Sequence, residues 1–290
     1  MKQSTHIKIV ETPRDGMQGL DQIIPTDKKI EYINLLLKCG FDTVEVGSFV
    51  SPRAIPQMAD TAEVLEGIDL STTKSKIAVL VANVKGGEMA VQFDQVDEVF
   101  YPYSTSPTFL RKNLNTTLAE AERNVEELQA LCVKHNKKLV AFISLAFGDP
   151  YGDSWSTDLV NRKVEKLLNL GITTIPLADT IGDVHPDVID SVCNKVIPNW
   201  PEVEFGLHAH AYPGKGKSKI GAAWKHGVRR FDTVINGLGG CPMTDKELVG
   251  NLSLESLITW CETNGVDTGL EMETLGKAKS FPLLINPIFQ

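Results

Sequence analysis

TTIPLAD (residues 173–179), VEFGLHAH (203–210) and RFDTVING (230–237) are the stretches on which the fold turns. Each is short and apolar on both faces, as a strand inside a parallel sheet must be. Helical patterns fill the intervals. Val188, Val192 and Val196 share one face after His185-Pro186, where proline suits a helix start. Ile220, Ala223 and Trp224 form a second face that ends at Gly227. Strand, helix, strand, helix, strand is the repeating unit of a parallel sheet with helices packed outside it.

The same alternation extends upstream. HIKIVE (6–11), DTVEVG (42–47), KIAVLVA (76–82), VDEVFYPY (96–103) and KLVAFISLAF (138–147) read as five further strands. One interval places Ile30, Ile33, Leu36 and Leu37 on a common helical face, with Thr26 as N-cap and Gly40 as stop. Leu118, Val125, Leu128 and Leu131 repeat the pattern, as do Val160, Val164, Leu167 and Leu168 before Gly171. Eight strand–helix units in roughly 250 residues predict a closed (β/α)8 barrel, the TIM-barrel architecture. An open doubly wound sheet suits fewer units, and no Gly-x-Gly-x-x-Gly follows the first strand. The sequence thus reads as one catalytic domain over residues 1–290, with the barrel over 5–265 and a short helical C-terminal extension over 266–290.

Composition narrows the function. The chain has 290 residues, and 29 Lys+Arg against 37 Asp+Glu give a net charge of −8. The acidic mean field argues against non-specific nucleic-acid binding. It leaves room for a local basic pocket that takes an anionic ligand. The five cysteines, Cys39, Cys132, Cys193, Cys241 and Cys261, contain no CxxC pair, which points to a reducing, cytoplasmic setting without a disulfide framework. The first residues show no apolar signal segment, and no apolar run reaches the ~18 residues of a membrane helix.

In this architecture the reacting groups stand at the carboxyl ends of the strands. Strand 1 leads to Arg14-Asp15-Gly16, strand 2 to Glu45 and Ser48, strand 6 to Asp179-Thr180, strand 7 to His208-Ala209-His210, and strand 8 to Asn236 and Gly237 through Pro242. Residues i and i+2 of a strand point the same way, so His208 and His210 can face one point in the barrel mouth. Two such histidines with the carboxylate of Asp15 make a divalent-metal site with room for substrate; two hydrogen-bonded core histidines are the alternative. Arg14 can clamp a carboxylate or an enolate oxygen, or it can pair structurally with Glu45 or Asp179. Glu45 can orient Arg14 or touch substrate. Cys241 lies in Gly-Leu-Gly-Gly-Cys-Pro, a loop able to carry a thiol over the site. The Asn251 amide is either a hard-metal ligand or a helix cap. Lys215, Lys217 and Lys219 read first as a solvated face and second as an anion-binding edge.

The chain resembles hydroxymethylglutaryl-CoA lyases of the metal-dependent aldolase and synthase superfamily. The match is carried by Thr12-Pro13-Arg14-Asp15-Gly16-Met17-Gln18, by residues 45–53 (EVGSFVSPR) with 56–60 (PQMAD), by 177–182 (LADTIG), by His208-Ala209-His210 and by 237–242 (GLGGCP). The resemblance implies cleavage of 3-hydroxy-3-methylglutaryl-CoA to acetyl-CoA and acetoacetate. It implies Asp15, His208, His210 and Asn251 as ligands of Mg2+ or Mn2+. It also implies Arg14 as enolate stabiliser, Cys241 as a loop-borne acid, His208 as a proton-transfer group, and Glu45 and Asp179 as active-site support. The partner it implies is a small acyl-CoA, with neither nucleic acid nor membrane; assembly as a homodimer stays open.

Two stretches depart from the family pattern. Ala211-Tyr212-Pro213-Gly214 replaces Asp-Thr-Tyr-Gly, and Gly19-Leu20-Asp21 stands where a lysine is usual. Both are expected on the substrate side of the mouth, so a related hydroxyacyl-CoA or 2-keto acid is an alternative substrate. A condensing synthase and a non-catalytic acyl-CoA-binding barrel are the competing functions. The first usually carries extra C-terminal sequence, and the second would have no reason to keep acid, base and metal positions together.

Overall fold

The computed structural model describes residues 6–240 and 249–285. Its eight strands are β1 (Lys8–Glu11), β2 (Thr43–Ser48), β3 (Lys76–Leu80), β4 (Glu98–Ser104), β5 (Lys138–Ser144), β6 (Thr174–Asp179), β7 (Glu204–Ala209) and β8 (Arg230–Thr233). They close into a parallel barrel in sequence order. The last strand pairs with the first, with Lys8 opposite Arg230 and Glu11 opposite Thr233. The (β/α)8 architecture read from the sequence is therefore the observed one.

The helices are α1 (Pro13–Met17), α2 (Thr26–Leu36), α3 (Thr61–Gly67), α4 (Val84–Ala90), α5 (Pro107–Leu114), α6 (Leu118–Lys134), α7 (Thr157–Asn169), α8 (Pro186–Val196), α9 (Gly216–Trp224), α10 (Leu254–Asn264) and α11 (Met272–Ile285). Local chemistry sets their limits. Thr117 and Glu120 form a reciprocal capping box at the start of α6. His185 caps α8 just before Pro186. Gly265, in the left-handed conformation, ends α10. One expectation changes: the N-cap of α2 is Pro25, because the Thr26 hydroxyl is drawn away to Asp60 at 2.8 Å.

The helix α11 folds back onto α2, where Phe281 and Tyr32 stack with ring centroids 5.4 Å apart.

The barrel interior is layered. The first residues of β1, β3, β4, β5, β7 and β8 are all charged: Lys8, Lys76, Glu98, Lys138, Glu204 and Arg230. With Asp42 they form a ring of ion pairs across the amino-terminal end. Arg230 meets Glu98 at 2.8 Å and Lys76 meets Asp42 at 3.1 Å. Two residues further along, Val10, Ala78, Phe100 and Val140 make an apolar layer with Phe142. Each valine or phenylalanine of this layer, once buried, stabilises the fold by about 1.5–3 kcal/mol. Above this layer the lining turns polar.

Candidate active site at the barrel mouth

The Arg14-Asp15-Gly16 segment does not continue β1. It folds into the short helix α1, and both charged side chains are buried. Gly16 is required there, since a Cβ would stand 2.8 Å from Val234 Cγ1. Arg14 donates from Nε and Nη2 to Glu45, with contacts of 3.0, 2.7 and 2.9 Å. Its Nη1 lies 3.3 Å from Asp15 Oδ1, and Arg14 lines the cavity at the mouth. Burial opposes the charge on Arg14, but Glu45 and Asp15 outweigh it and raise the pKa. Burial pushes the Glu45 carboxyl up to about 7 against the pull of Arg14. The three-contact fork is the geometry of an ionised pair, and we read it as one. Glu45 thus orients Arg14 and spends both oxygens doing so.

Asp15 accepts a hydrogen bond from Gln18 Nε2 on Oδ1. Burial works against its charge, yet Arg14 and the two histidines hold the carboxyl below its usual range. His208 sits inside the barrel on β7, with Nε2 at 3.7 Å from Asp15 Oδ2. Its Nδ1 is 3.1 Å from Oδ2 of Asp232, its register partner on β8. Phe142 meets the imidazole edge-on, centroids 5.6 Å apart. Just past β7, His210 places Nδ1 at 3.1 Å from the Val249 carbonyl and bridges to Asn251. Burial again opposes the charged form of both rings. Asp232, Asp15 and Glu45 overcome it at His208 and raise that pKa, whereas burial and His208 together lower that of His210.

Asn251 donates its amide to Leu238 O at 2.8 Å, which leaves its side-chain oxygen for another partner. Asp179 is bonded on both oxygens, to Gly182 N at 2.9 Å and to Lys219 Nζ. Cys241 lies outside the described residues. Arg14, Asp15, Glu45, His208 and His210 line one cavity of about 220 Å3 with Asp232. Its remaining wall is largely apolar, from residues such as Leu80, Phe100 and Phe142.

Among the described residues no three His, Cys, Asp or Glu side chains form a ready-made metal cage. The donor set nevertheless fits a divalent ion. Both imidazoles use Nδ1 on protein acceptors, which fixes their tautomer and leaves Nε2 free for a ligand. Among the described residues Asp232 Oδ1 is buried and carries no hydrogen-bond partner, an orphaned oxygen beside His208 that a cation or a substrate proton could satisfy.

Asp232 and Lys219 escaped the sequence reading. Asp232 is a charge inside an apolar strand, two residues after Arg230, and its place opposite His208 appears only with the β7–β8 register. Lys219 stands with Gly216, Ile220 and Ala223 on the buried face of α9. The i, i+3, i+4, i+7 spacing separates it from Lys215 and Lys217, which are exposed. The solvated-face reading therefore fails at Lys219.

Comparison with known proteins gives the site its context. Over 277 residues the chain is 34% identical to the cytoplasmic 3-hydroxy-3-methylglutaryl-CoA lyase of Rattus norvegicus, covering 95% of this chain and 80% of that protein. It is 33% identical over 276 residues to the mitochondrial hydroxymethylglutaryl-CoA lyase of Homo sapiens, with 95% and 84% covered. The structure of an HMG-CoA lyase from Acinetobacter baumannii, in complex with coenzyme A and 3-methylmalate, superposes with a TM-score of 0.89. That pair is 33% identical and covers 97% of this chain and 91% of the other.

Barrel, mouth and relatives together define a (β/α)8-barrel lyase. The family model described as HMGL-like matches residues 6–281, and the chain belongs to that family.

Proposed function

We propose that the chain cleaves 3-hydroxy-3-methylglutaryl-CoA into acetyl-CoA and acetoacetate. The observation that carries this reading is the convergence of Arg14, Asp15, His208 and His210 on one cavity at the carboxyl end of the barrel. The reaction is a retro-Claisen cleavage. A base removes the proton of the C3 hydroxyl, the C2–C3 bond breaks, and its electron pair passes to the thioester as an enolate. C3 becomes the ketone of acetoacetate, and a proton delivered to C2 completes acetyl-CoA.

His208 is our candidate for the proton transfer, because Asp232 holds its Nδ1; Nε2 would serve the ion and the proton only in turn, since one lone pair cannot hold both at once. Arg14 stabilises the enolate oxygen. Glu45 grips Nε and Nη2 and fixes the guanidinium plane, and Nη1, whose contact is a longer 3.3 Å one to Asp15, is the donor we assign to the enolate oxygen, so little reorganisation accompanies charge development. Cys241, from the Gly-rich loop, is the acid the family resemblance assigns for protonating C2. Asp179 supports the rim without touching substrate, since both of its oxygens are engaged.

Asp15, His208, His210 and Asn251 are the residues that would hold Mg2+ or Mn2+. The ion would supply positive charge that lowers the pKa of the substrate hydroxyl. The methyl and methylene groups of the acyl portion would lie against the apolar wall of Leu80, Phe100 and Phe142.

A cytoplasmic setting belongs to the same proposal. Cys39, Cys132, Cys193 and Cys261 are free and buried, and none of the described helices is long and apolar enough to cross a membrane. The test is incubation with hydroxymethylglutaryl-CoA and Mg2+, followed by mass detection. Acetoacetate and acetyl-CoA in equal amounts support the reading, and intact substrate at high enzyme concentration removes it.

A further inference from the structure

The helix α9 sends one buried lysine beneath the mouth. Lys219 is 3% exposed, and its ammonium makes three contacts. It meets Oδ2 of Asp179 at the end of β6, the Gly182 carbonyl in the following turn at 2.8 Å, and the His210 carbonyl at 2.8 Å. An ammonium has three protons, so none remains for a substrate. What the group does is join two strand ends.

The β7 end leads into His210, one of the assigned cation ligands, and the β6 end into the turn that packs on it. Asp179 Oδ1 accepts from Gly182 N, which closes the turn after β6. That turn lies directly on His210. Gly182 has φ +77°, and a Cβ there would stand 2.8 Å from His210 Cβ and 2.5 Å from Val249 Cγ1. His210 in turn meets the Val249 carbonyl through Nδ1, while Ala211 N donates to Gly250 O at 2.9 Å. His210 also bridges to Asn251. The backbone from which both His210 and Asn251 project is therefore anchored, on its inner side, to the Lys219 ammonium. The sheet ladder already joins the two strand ends, with Asp179 opposite Ala209 and His210 N donating to Asp179 O at 3.2 Å, but it does not reach the Gly182 carbonyl or the His210 carbonyl, and Lys219 binds both.

We propose that Lys219 is a positioning residue that holds the His210–Asn251 half of the cation site by binding the Asp179 carboxylate and the Gly182 and His210 carbonyls at once. This rests on the ligand assignment made under the proposed function. Neutralising Asp179 is only part of the role. The two carbonyl contacts are what fix His210.

The experiment separates these two roles. Lys219→Met leaves Asp179 buried and unpaired, so it is compared with Lys219→Met/Asp179→Asn, in which no uncompensated charge remains and the Asn oxygen still accepts from Gly182. Mn2+ binding is titrated by the electron paramagnetic resonance of the free ion, and Tm is read in parallel. The double variant is expected to recover a Tm near that of the parent while binding Mn2+ about 10–100-fold more weakly. At saturating Mn2+ its kcat is expected to fall less than its Mn2+ affinity.

A folded double variant with the parent's Mn2+ affinity would reduce Lys219 to a counter-charge and overturn the proposal. Parent protein that binds no Mn2+ would remove the ligand assignment itself, and this inference with it. The two failures are distinguished by the parent titration alone. Where the double variant is not recovered folded, Lys219→Gln, which can still donate to the two carbonyls but brings Asp179 no charge, is expected to keep most of the Mn2+ affinity at a lower Tm; an affinity as weak as that of Lys219→Met would reduce Lys219 to a counter-charge.

Discussion

Both ends of the barrel are lined with charge, and they use it in opposite ways. At the amino-terminal end four cations, Lys8, Lys76, Lys138 and Arg230, alternate with three carboxylates, Asp42, Glu98 and Glu204. Each has an opposite charge within 4.0 Å. At the mouth two buried cations, Arg14 and Lys219, face four buried carboxylates, Asp15, Glu45, Asp179 and Asp232. Arg14 is held mainly by Glu45, with a longer contact to Asp15, and Lys219 by Asp179. The formal charge left over is that of Asp15 and Asp232, the two groups beside His208. A network in which every charge has a partner serves stability; a formal surplus of two carboxylates beside two histidines invites a cation.

Breaking the mouth should abolish activity and leave the fold. Removing divalent ions with EDTA is expected to stop acetoacetate formation, and added Mg2+ or Mn2+ to restore it. An active metal-free preparation would erase the distinction between the two ends. Arg14→Met should lower kcat by about 10²–10³-fold or more, the scale of losing one oxyanion donor. Circular dichroism checks the fold. A near-normal kcat would take Arg14 out of the chemistry.

Breaking the ring should do the reverse. Arg230→Met leaves Glu98 buried without its closest partner, a loss of about 3–5 kcal/mol. Urea unfolding reads the loss, and kcat of the protein that remains folded is expected to stay close to the parent's. A large fall in kcat with unchanged stability would mean that the lower ring communicates with the mouth.

Between the two ends, Glu11 offers a pH test. Burial is the main influence on its carboxyl and outweighs the bonds from Ile235 N and the Thr233 hydroxyl, pushing the pKa up to about 8 from an ordinary 4.5. The folded state therefore binds the proton more tightly than the unfolded chain. The associated stability is complete below pH 4.5 and is lost as pH rises through about 8. Glu11→Gln keeps both hydrogen bonds and should flatten the slope of unfolding free energy over that window. An unchanged slope would assign the pH dependence to other groups. The smallest effect belongs to the ring's solvent-facing rim. Lys8 and Glu204 are about one-third exposed, so Lys8→Ala should cost under about 1 kcal/mol in the same urea measurement.

The barrel was legible because period and punctuation agree. Short runs apolar on both faces alternate with amphipathic segments closed by Gly40, Gly171 and Gly227, and nothing longer-range is needed to count eight units. The His208–Ala209–His210 pair was legible for a similar local reason, since i and i+2 share a side of any strand. Asp232 was not, because its meaning lies in register: it faces His208 only once β7 and β8 are aligned. Lys219 was hidden by composition. Two exposed lysines at 215 and 217 make the segment look solvated, and its partner Asp179 is 40 residues away in the chain. Charged groups whose significance depends on distant partners are where local reasoning stops. The bidentate hold of Glu45 on Arg14 is of that kind too, and the sequence left its role open.

The closure of β1 on β8 has a consequence for how the enzyme comes into being. Lys8 and Arg230 pair across some 220 residues, and Asp15 meets His208 across nearly as many. A nascent chain can form its early strands and helices in order, yet no ribosome-bound fragment that stops short of β8 possesses Asp232 or the seam that brings it to His208. Such long-range pairing is entropically late, so the final event of folding and the birth of the active site coincide. An arrested or truncated product would be inert rather than partly active, and the cell would meet activity only in finished molecules.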